Sequence, residues 1–259
     1  MPNTALITGA SSGIGAAFAR YHASKGGDVI LTARSADKLD TLASELQAAH
    51  GITAHVFALD LGAEGGAASL VAQVAQAGLT VDILINNAGF GGHGKHTDRD
   101  LAEEQSMMDL NIKSLVALTH AFGGQMAAQG GGKILNVGST AGFMPGPLQA
   151  VYFATKAFVK SYSEAVGHEL RNKGVTVTVL APGYVETAFA DRADLGGTGL
   201  VKGGGKSAAS VAQHGYDAMM AGKTVTVNEQ PLGFMVNWII PLLPRRMVLN
   251  MVNGMQVKK

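Results

Sequence analysis

Short apolar runs alternate with longer amphipathic stretches up to about residue 181, and this alternation constrains the fold more than any other feature. The runs, rich in Val, Ile, Leu and Thr, are predicted as strands: Thr4–Thr8, Asp28–Thr32, Thr53–Leu59, Val81–Asn86, Lys133–Val137 and Val175–Leu180. Helical spacing of apolar residues marks the stretches between them: Gly15–Lys25, Lys38–His50, Gly66–Gly78, Leu101–Gln129 and Tyr152–Asn172. Strands that alternate with helices at this spacing predict βαβ units and a parallel sheet.

The predicted strands are almost wholly apolar, which indicates a sheet covered by helices on both faces. Right-handed crossovers then give an α/β fold with a doubly wound parallel sheet, the Rossmann fold, whose ligand crevice lies beyond the carboxyl ends of the strands. Residues 1–259 contain no Pro/Ser-rich linker and no repeat, so we expect a single domain. A glycine-rich stretch at 196–206 is either a lid over the crevice or a disordered surface loop; its place after a strand end favours a mobile lid region at about 190–222.

Composition excludes several classes of protein. Of the 259 residues, 47% are hydrophobic and 15% charged, which provides a large core and excludes a disordered chain. The formal net charge of +1 gives no field that would attract nucleic acid. The chain has no cysteine, which excludes disulfides, thiolate catalysis and cysteine metal sites and fits a reducing, cytoplasmic location.

Neither a signal peptide nor a membrane span is predicted. The first strand begins too early to leave room for a leader. The most apolar stretch, Pro231–Val252, is broken by prolines and by Arg245 and Arg246, whereas a spanning helix needs about 20 mostly apolar residues. We interpret residues of about 229–259 as a C-terminal extension at the substrate site or a subunit interface; a peripheral membrane contact is the alternative.

A glycine-rich turn joins the first strand to the first helix. Such a turn brings the backbone and the N–H groups of the helix N-terminus close to a pyrophosphate. A simple strand–helix turn without a ligand can have the same glycine pattern. Its position at the start of the βαβ series favours dinucleotide binding. The predicted phosphate-binding residues are Gly9, Ser11, Ser12, Gly13, Ile14 and Gly15.

The end of the second strand predicts which dinucleotide binds. An NAD site usually has a carboxylate there for the ribose 2′-hydroxyl, and this chain has Arg34 instead. Arg34 could pair with a 2′-phosphate, aided by Ser11, Ser35 and Lys38, so NADP(H) is predicted in preference to NAD(H); a solvated Arg34 is the alternative. Asp60, after the third strand, is either an adenine contact or a turn residue.

Three side chains near the fifth strand form a candidate catalytic group. Tyr152 and Lys156 are four residues apart on a predicted helix, so phenol and ammonium are neighbours. A nearby cation lowers the pKa of a phenol, as general acid–base catalysis at a carbonyl requires. Ser139, after the fifth strand, faces the crevice, where its hydroxyl could bind a substrate oxygen.

These motifs together resemble the short-chain dehydrogenase/reductase family, of the ordinary single-domain type. The resemblance covers three quarters of the chain and includes the glycine turn, Asn86–Gly89, Ser139, Tyr152 and Lys156. It assigns a fourth catalytic residue, Asn111, which could alternatively be a helix residue bonded to local backbone. It also adds predicted cofactor-binding residues: Leu61, Asn87, Ala88, Gly89, Pro182, Gly183, Val185 and Thr187, besides Tyr152 and Lys156.

The resemblance implies hydride transfer between nicotinamide and a carbonyl or secondary alcohol. Tyr152 would exchange the proton, Lys156 would lower the pKa of Tyr152 and hold the ribose, Ser139 would orient the carbonyl, and Asn111 would hold a relay water. A homodimer or homotetramer formed through the long helices is implied as well. Leu242–Arg246, with Arg34, resembles an NADP-preferring bacterial group of oxidoreductases, whose tail shapes the substrate site.

Other residues and functions carry less weight. His93 and His96 could touch a polar substrate but are better explained as loop surface, and no metal site is predicted. An apolar wall is predicted, part of which is ordinary packing: Phe143, Met144, Leu148, Tyr184 and Phe189. Trp238, with Phe234 and Met235, would close the pocket or pack at an interface. A non-catalytic dinucleotide-binding regulator is the alternative function, opposed by the intact Tyr152–Lys156 pair; epimerase and enoyl reductase chemistry fit the length and spacing less well.

Overall fold

A seven-stranded parallel sheet forms the centre of the computed structural model, which describes residues 3–258. The main strands are β1 (Thr4–Thr8), β2 (Asp28–Ala33), β3 (Ala54–Ala58), β4 (Ile83–Asn86), β5 (Gly132–Val137) and β6 (Val175–Leu180). Two short strands, β7 (Val185–Glu186) and β8 (Lys206–Ser207), pair with each other, and β9 (Val225–Thr226) completes the main sheet. The strand order is β3-β2-β1-β4-β5-β6-β9, so the direction of strand addition reverses between β1 and β4. Ligands bind at such a switch point in open α/β sheets.

Helices cover both faces of the sheet, as the apolar strands predicted. The helices are α1 (Gly13–Ala23), α2 (Ala36–His50), α3 (Gly66–Gln76), α4 (Leu101–Met108), α5 (Leu115–Ala128), α6 (Ala150–Leu170), α7 (Phe189–Arg192), α8 (Gly199–Lys202), α9 (Ala208–Met220), α10 (Gln230–Phe234) and α11 (Arg245–Gln256). In β1, Ala5 and Ile7 pack on the side of α1, α2 and α9, whereas Leu6 packs on the side of α3 and α5. The predicted doubly wound α/β fold is therefore confirmed.

The structure differs from the predicted elements in three places. The predicted helix Leu101–Gln129 is two helices, α4 and α5, joined by a π-helical turn at Asp109–Ser114. Strands β7, β8 and β9 have only two residues each, too few to produce an apolar run, and they were not predicted. Residues 208–220 of the predicted lid region form α9, whose Val211 and Met219 are fully buried, so this part of the region is fixed to the core.

The C-terminal extension is helical and packs on the rest of the chain. After α10, a π turn (Met235–Ile239) and a 3₁₀ turn (Ile240–Leu242) lead to α11. Ile240, Val248 and Val252 are buried in it. In the part of the chain that the structure describes, no helix is both long and apolar enough to cross a bilayer.

Candidate active site

The glycine turn after β1 has a backbone that only glycine adopts readily. Gly9 and Gly13 have φ angles of +66° and +54°, in the left-handed region. A methyl group on Gly15 would collide with the carbonyl oxygen of Gly9 and would lie 2.6 Å from Asn87 Nδ2. The turn is therefore packed directly against the loop that follows β4.

The N-terminus of α1 has the properties of an anion site. Ser12 is its N-cap residue, yet no side chain accepts a hydrogen bond from the first N–H groups, and the first turn has no acidic residue. Such unpaired N–H groups and the positive end of the helix dipole favour a phosphate. Thr187 faces this turn, because its Cγ2 lies 3.3 Å from the position of a Cβ on Gly13. A dinucleotide pyrophosphate fits these residues.

Asn87 and Ala88 are tied to β1 through Thr8. The backbone N–H groups of Asn87 and Ala88 both donate to Thr8 Oγ1, each at 2.9 Å, and Asn87 Nδ2 donates to the Thr8 carbonyl at 2.9 Å. These bonds join the carboxyl ends of β1 and β4, the strands on either side of the switch point. Because Gly89 follows Ala88, the same hydrogen bonds hold its loop at the carboxyl ends of these two strands.

Some of the predicted cofactor-binding residues contribute to the core. The side chains of Leu61 and Val185 are buried in it, and the partly buried Ile14 packs against it. The Pro182 carbonyl accepts a hydrogen bond from Thr140 N–H at 3.0 Å. A Cβ on Gly183 would lie 2.8 Å from Glu229 Oε1 and from Leu232 Cδ2.

Arg34 lies beside Asp60 at the edge of the crevice. Arg34 Nη1 is 3.8 Å from Asp60 Oδ2, and both side chains are well exposed. Arg192, which the sequence did not single out, belongs to the same group: its guanidinium carbon lies 4.4 Å from the centroid of the Phe90 ring. Burial, and to a smaller extent Arg34, lowers the pKa of Arg192 from its ordinary value. No spacing in the sequence links Arg192 to Arg34, because α7 reaches this place only in the folded chain.

Ser139, Tyr152 and Lys156 converge at the carboxyl end of β5. The Ser139 hydroxyl accepts a hydrogen bond from Ala141 N–H at 3.1 Å and so begins a 3₁₀ turn. Lys156 Nζ donates to the Val137 carbonyl at 2.8 Å and lies 5.8 Å from the centroid of the Tyr152 ring. The helix α6 and the end of β5 therefore bring the three predicted side chains together.

Burial controls the protonation of this group. It raises the pKa of Tyr152 to about 12, an effect that the nearby Ser139 hydroxyl opposes, and it lowers the pKa of Lys156 to about 8. The sequence predicted a lowered pKa for Tyr152, and the structure differs because desolvation of the phenol dominates. In this state Tyr152 is a neutral phenol, which can donate a proton.

Asn111 lies in the π-helical turn and holds a distant loop. Its Nδ2 donates to the Phe90 carbonyl at 2.9 Å and to Thr155 Oγ1 at 3.2 Å, and its Oδ1 accepts from Phe90 N–H at 3.1 Å. These partners exclude the alternative of a bond to local helix backbone. A Cβ on Gly89 would lie 2.9 Å from Asn111 Oδ1 and 3.7 Å from Lys156 Nζ, so both side chains face Gly89.

The C-terminal extension closes one side of the site. Gln149 Nε2 donates to Gln256 Oε1 at 2.7 Å, and both residues are buried. His93 Nε2 lies 2.8 Å from the Gln256 carbonyl oxygen. His93 is therefore half-buried beside α11 rather than on a loop surface, whereas His96 is exposed. No spacing in the sequence joins Gln256 to Gln149 or His93, which are more than a hundred positions earlier.

The predicted apolar wall is divided between two clusters. Met144 and Tyr152 pack with Phe153, Ile240 and Val248 of the first cluster. Tyr184 and Phe189 belong to the second, in which the Phe189 ring lies 5.5 Å from that of Tyr152. Phe143 has Lys160 Nζ over its ring, 5.1 Å from the centroid. Leu148 has a φ of +65°, in the left-handed region that strains a leucine.

Three large apolar residues of the tail, expected to close the pocket or to pack at an interface, are exposed to solvent. Trp238, Phe234 and Met235 are 67%, 62% and 44% exposed. Among residues 3–258, no group of His, Asp and Glu side chains has the arrangement of a metal site.

Known proteins resemble this chain in sequence and in fold. The family model for short chain dehydrogenase matches residues 3–195. Sulfoacetaldehyde reductase 2 of Chromohalobacter salexigens is 40% identical over 214 residues, which are 82% of this chain and 81% of that protein. A short-chain dehydrogenase from Sphingobium yanoikuyae in complex with NADPH has a TM-score of 0.85 and 28% identity and covers 93% of both chains. A Burkholderia phymatum short-chain dehydrogenase/reductase in complex with NAD has a TM-score of 0.82 and 26% identity, over 91% of this chain and 92% of that one.

Proposed function

Because this chain belongs to the short-chain dehydrogenase/reductase family and is an oxidoreductase acting on CH–OH or C=O groups, we propose that it is an NADP(H)-dependent carbonyl reductase or alcohol dehydrogenase. The observation that carries the proposal is the convergence of Ser139, Tyr152 and Lys156 at the end of β5, beside the glycine turn. All four residues that the family chemistry requires are present, which opposes the alternative of a non-catalytic regulator.

A bound nicotinamide supplies the hydride, and this chain's residues manage the proton. In the reducing direction, the Tyr152 hydroxyl donates its proton to the substrate oxygen while the Ser139 hydroxyl hydrogen-bonds that oxygen. The phenolate that remains on Tyr152 is stabilised by the Lys156 ammonium, which is buried on the same helix face. Asn111 fixes the loop at Phe90, so that Gly89 stays open beside Lys156.

We propose NADP(H) as the cofactor because of the side chains at the edge of the crevice. The second strand ends without a carboxylate for a ribose 2′-hydroxyl, and two cationic side chains, Arg34 and Arg192, are neighbours there. Guanidinium groups suit a 2′-phosphate because they donate paired hydrogen bonds to its oxygens. Structural neighbours have been solved with either NADPH or NAD, so the proposal depends on these side chains.

The proposed substrates are small organic carbonyl compounds or the corresponding alcohols. The apolar clusters on both sides of Tyr152 favour a substrate whose remaining part is largely apolar. A relative is named sulfoacetaldehyde reductase, so a short anionic aldehyde belongs in any test panel. We place the enzyme in the cytoplasm, in keeping with its cysteine-free composition.

The test is oxidation of NADPH, and separately of NADH, over a panel of aldehydes and ketones. We expect turnover with NADPH, much weaker turnover with NADH, and a loss of at least about 100-fold in Tyr152→Phe, since a general acid contributes about that much. Tyr21→Phe is the matched control, because it removes a hydroxyl that is bonded to Asp217 at 3.0 Å outside the site.

Each other outcome has a defined meaning. Preference for NADH would overturn the cofactor assignment and leave the proton chemistry in place. Full activity in Tyr152→Phe would overturn the mechanism. If no compound turns over, NADPH binding is measured by titration, and tight binding without turnover on a broad panel would favour the regulator.

A further inference from the structure

Most of the large apolar side chains that are exposed among residues 3–258 lie near the C-terminus. Five of them occur within nine residues, which we call the C-terminal apolar surface. They are Phe234, Met235, Trp238, Ile239 and Leu242, with 62%, 44%, 67%, 42% and 83% of their area exposed. Contiguous exposed apolar patches on soluble domains mark sites of interaction.

The fold holds this surface in place. Val236 and Ile240, which alternate with the exposed residues, are 1% and 4% exposed. Ile240 packs with Ala141 and Phe153, close to the start of α6. The segment is therefore amphipathic, with one side anchored to the domain and the other in solvent. Pro241 and Pro244 interrupt it, so it has the form of a surface element and not of a spanning helix.

The positive charge beside the C-terminal apolar surface indicates which kind of partner it binds. Arg245 and Arg246 follow it after Leu243 and Pro244, and both are exposed. No aspartate or glutamate occurs anywhere in the sequence from Gln230 to Lys259. Among the described residues, no carboxylate lies within 4.0 Å of either arginine, although Lys258 pairs with Asp194. An apolar surface with an adjoining cationic edge complements an anionic one.

We propose that the C-terminal apolar surface docks on an anionic lipid bilayer. Trp238 enters the interface, a position that tryptophan favours because its ring is apolar and its N–H is polar. Leu242 inserts beside it, and Arg245 and Arg246 bind the headgroups. A second copy fits less well, because a two-fold pairing of this surface would bring two arginine pairs together without a carboxylate from this segment to neutralise them.

Trp238 is the only tryptophan in the chain, so its fluorescence reports directly on the docking. The full-length protein, with and without NADPH, is mixed with vesicles of phosphatidylcholine alone or of phosphatidylcholine with phosphatidylglycerol. We expect a blue shift of Trp238 emission and co-sedimentation with the anionic vesicles only. Brominated phosphatidylcholine in those vesicles should quench the emission, and added salt should weaken binding.

A charge-reversal pair tests the electrostatic part. Arg245→Glu/Arg246→Glu should reduce the vesicle partition coefficient by at least about tenfold, since each cation near an anionic membrane contributes about a factor of five. Lys25→Glu/Lys173→Glu changes the net charge equally at exposed positions away from the surface and should bind as the wild type does. Leu242→Ser should weaken binding without changing charge. Circular dichroism confirms that each variant is folded.

Several results would overturn the proposal. One is the absence of an emission shift with any vesicle, and another is equal binding to zwitterionic and anionic vesicles. Equal loss in both charge-reversal pairs would mean general attraction of the whole protein to the membrane. If sedimentation velocity shows an oligomer in which Trp238 is shielded from acrylamide, and vesicles do not bind, the surface belongs to an interface between copies.

Discussion

Lys156 serves the proposed reaction, but its burial lowers the stability of the native state. Its side chain is 6% exposed, and burial lowers its pKa to about 8. Between pH 8 and its ordinary pKa, the unfolded chain binds a proton that the native state has lost, so this group makes the native state more stable as pH rises. Below pH 8 the folded protein carries a buried cation whose desolvation is only partly offset by the hydrogen bond to Val137.

We therefore expect Lys156→Met to be more stable than the wild type at pH 7, by a few kcal/mol, and to be inactive. The difference should shrink towards pH 10, because the native wild-type side chain is then neutral and no longer a buried cation. Thermal unfolding of both proteins at the two pH values measures this. Lys113→Met, which removes a 77% exposed lysine, is the control. A variant that is destabilised equally at both pH values would contradict the expectation.

Arg34 and Arg192 should differ in their effects on cofactor selection. Arg34→Gln is expected to raise the KM for NADPH by about 10- to 100-fold, the loss of a charge-assisted contact, and to leave that for NADH nearly unchanged. Arg192→Gln should raise both KM values, that for NADPH more than that for NADH, because Arg192, the last residue of α7, packs on the Phe90 ring and also lies near Arg34. Steady-state kinetics with each cofactor checks this; an effect of Arg34→Gln on both cofactors alike would argue against a 2′-phosphate contact.

The side chains that the sequence predicted correctly at this scale are those with fixed local spacing. Tyr152 and Lys156 are one helical turn apart, and Ser139 follows a recognisable strand, so their convergence follows from secondary structure. Arg192 and Gln256 could not be found in this way, because long-range packing of α7 and α11 brings them to the site. The protonation state of Tyr152 also depends on burial, which spacing does not reveal.

At the scale of elements, the glycine turn before α1 has the least freedom to change. In Gly15→Ala the new methyl group has no space beside Gly9 and Asn87. We therefore expect this variant to lose NADPH binding. Its free energy of unfolding should fall by at least about 1–3 kcal/mol, the usual effect of overpacking. Calorimetric titration and chemical denaturation measure the two effects.

Gly254→Ala provides the comparison for that variant. Gly254 lies in α11 with no atom within 4 Å of an added Cβ. Alanine there should stabilise the helix by about 0.5–1 kcal/mol and leave NADPH binding unchanged. Equal effects of the two substitutions would contradict the packing that is described for the turn.

Six of the seven strands of the sheet were predictable because each is a run of four or more mostly apolar residues. Strand β9 and the pair β7 and β8 have two residues each, and their pairing comes from the surrounding chain. The π-helical turn at Asp109–Ser114 was also not predictable, because it continues the helix without a glycine or proline that would mark a break. It is nevertheless the feature that carries Asn111.

At the scale of the whole molecule, the expected homodimer or homotetramer remains a prediction. Phe158 of α6 is 39% exposed, and its ring is stacked on the Tyr162 ring with 5.6 Å between the centroids. An exposed aromatic pair of this kind is what we expect on a helix face that another subunit covers. Phe158→Glu should therefore reduce the sedimentation coefficient to that of a monomer. Met220→Glu, at a 41% exposed position on α9, should leave it unchanged. A wild-type protein that is monomeric at micromolar concentration would contradict this expectation.

The reversal of strand order between β1 and β4 also has a consequence during synthesis. Strand β1 pairs with β2 soon after both leave the ribosome, but its other edge waits for Ile83, Leu84 and Ile85. Translation from Ala33, the last residue of β2, to Ile83 takes about 2.5–10 seconds at about 5–20 residues per second. Throughout that interval the nascent chain presents an unpaired apolar edge, the kind of edge on which misfolded chains associate. We therefore expect chaperone occupancy of the ribosome-bound chain to peak before β4 emerges and to fall once it does.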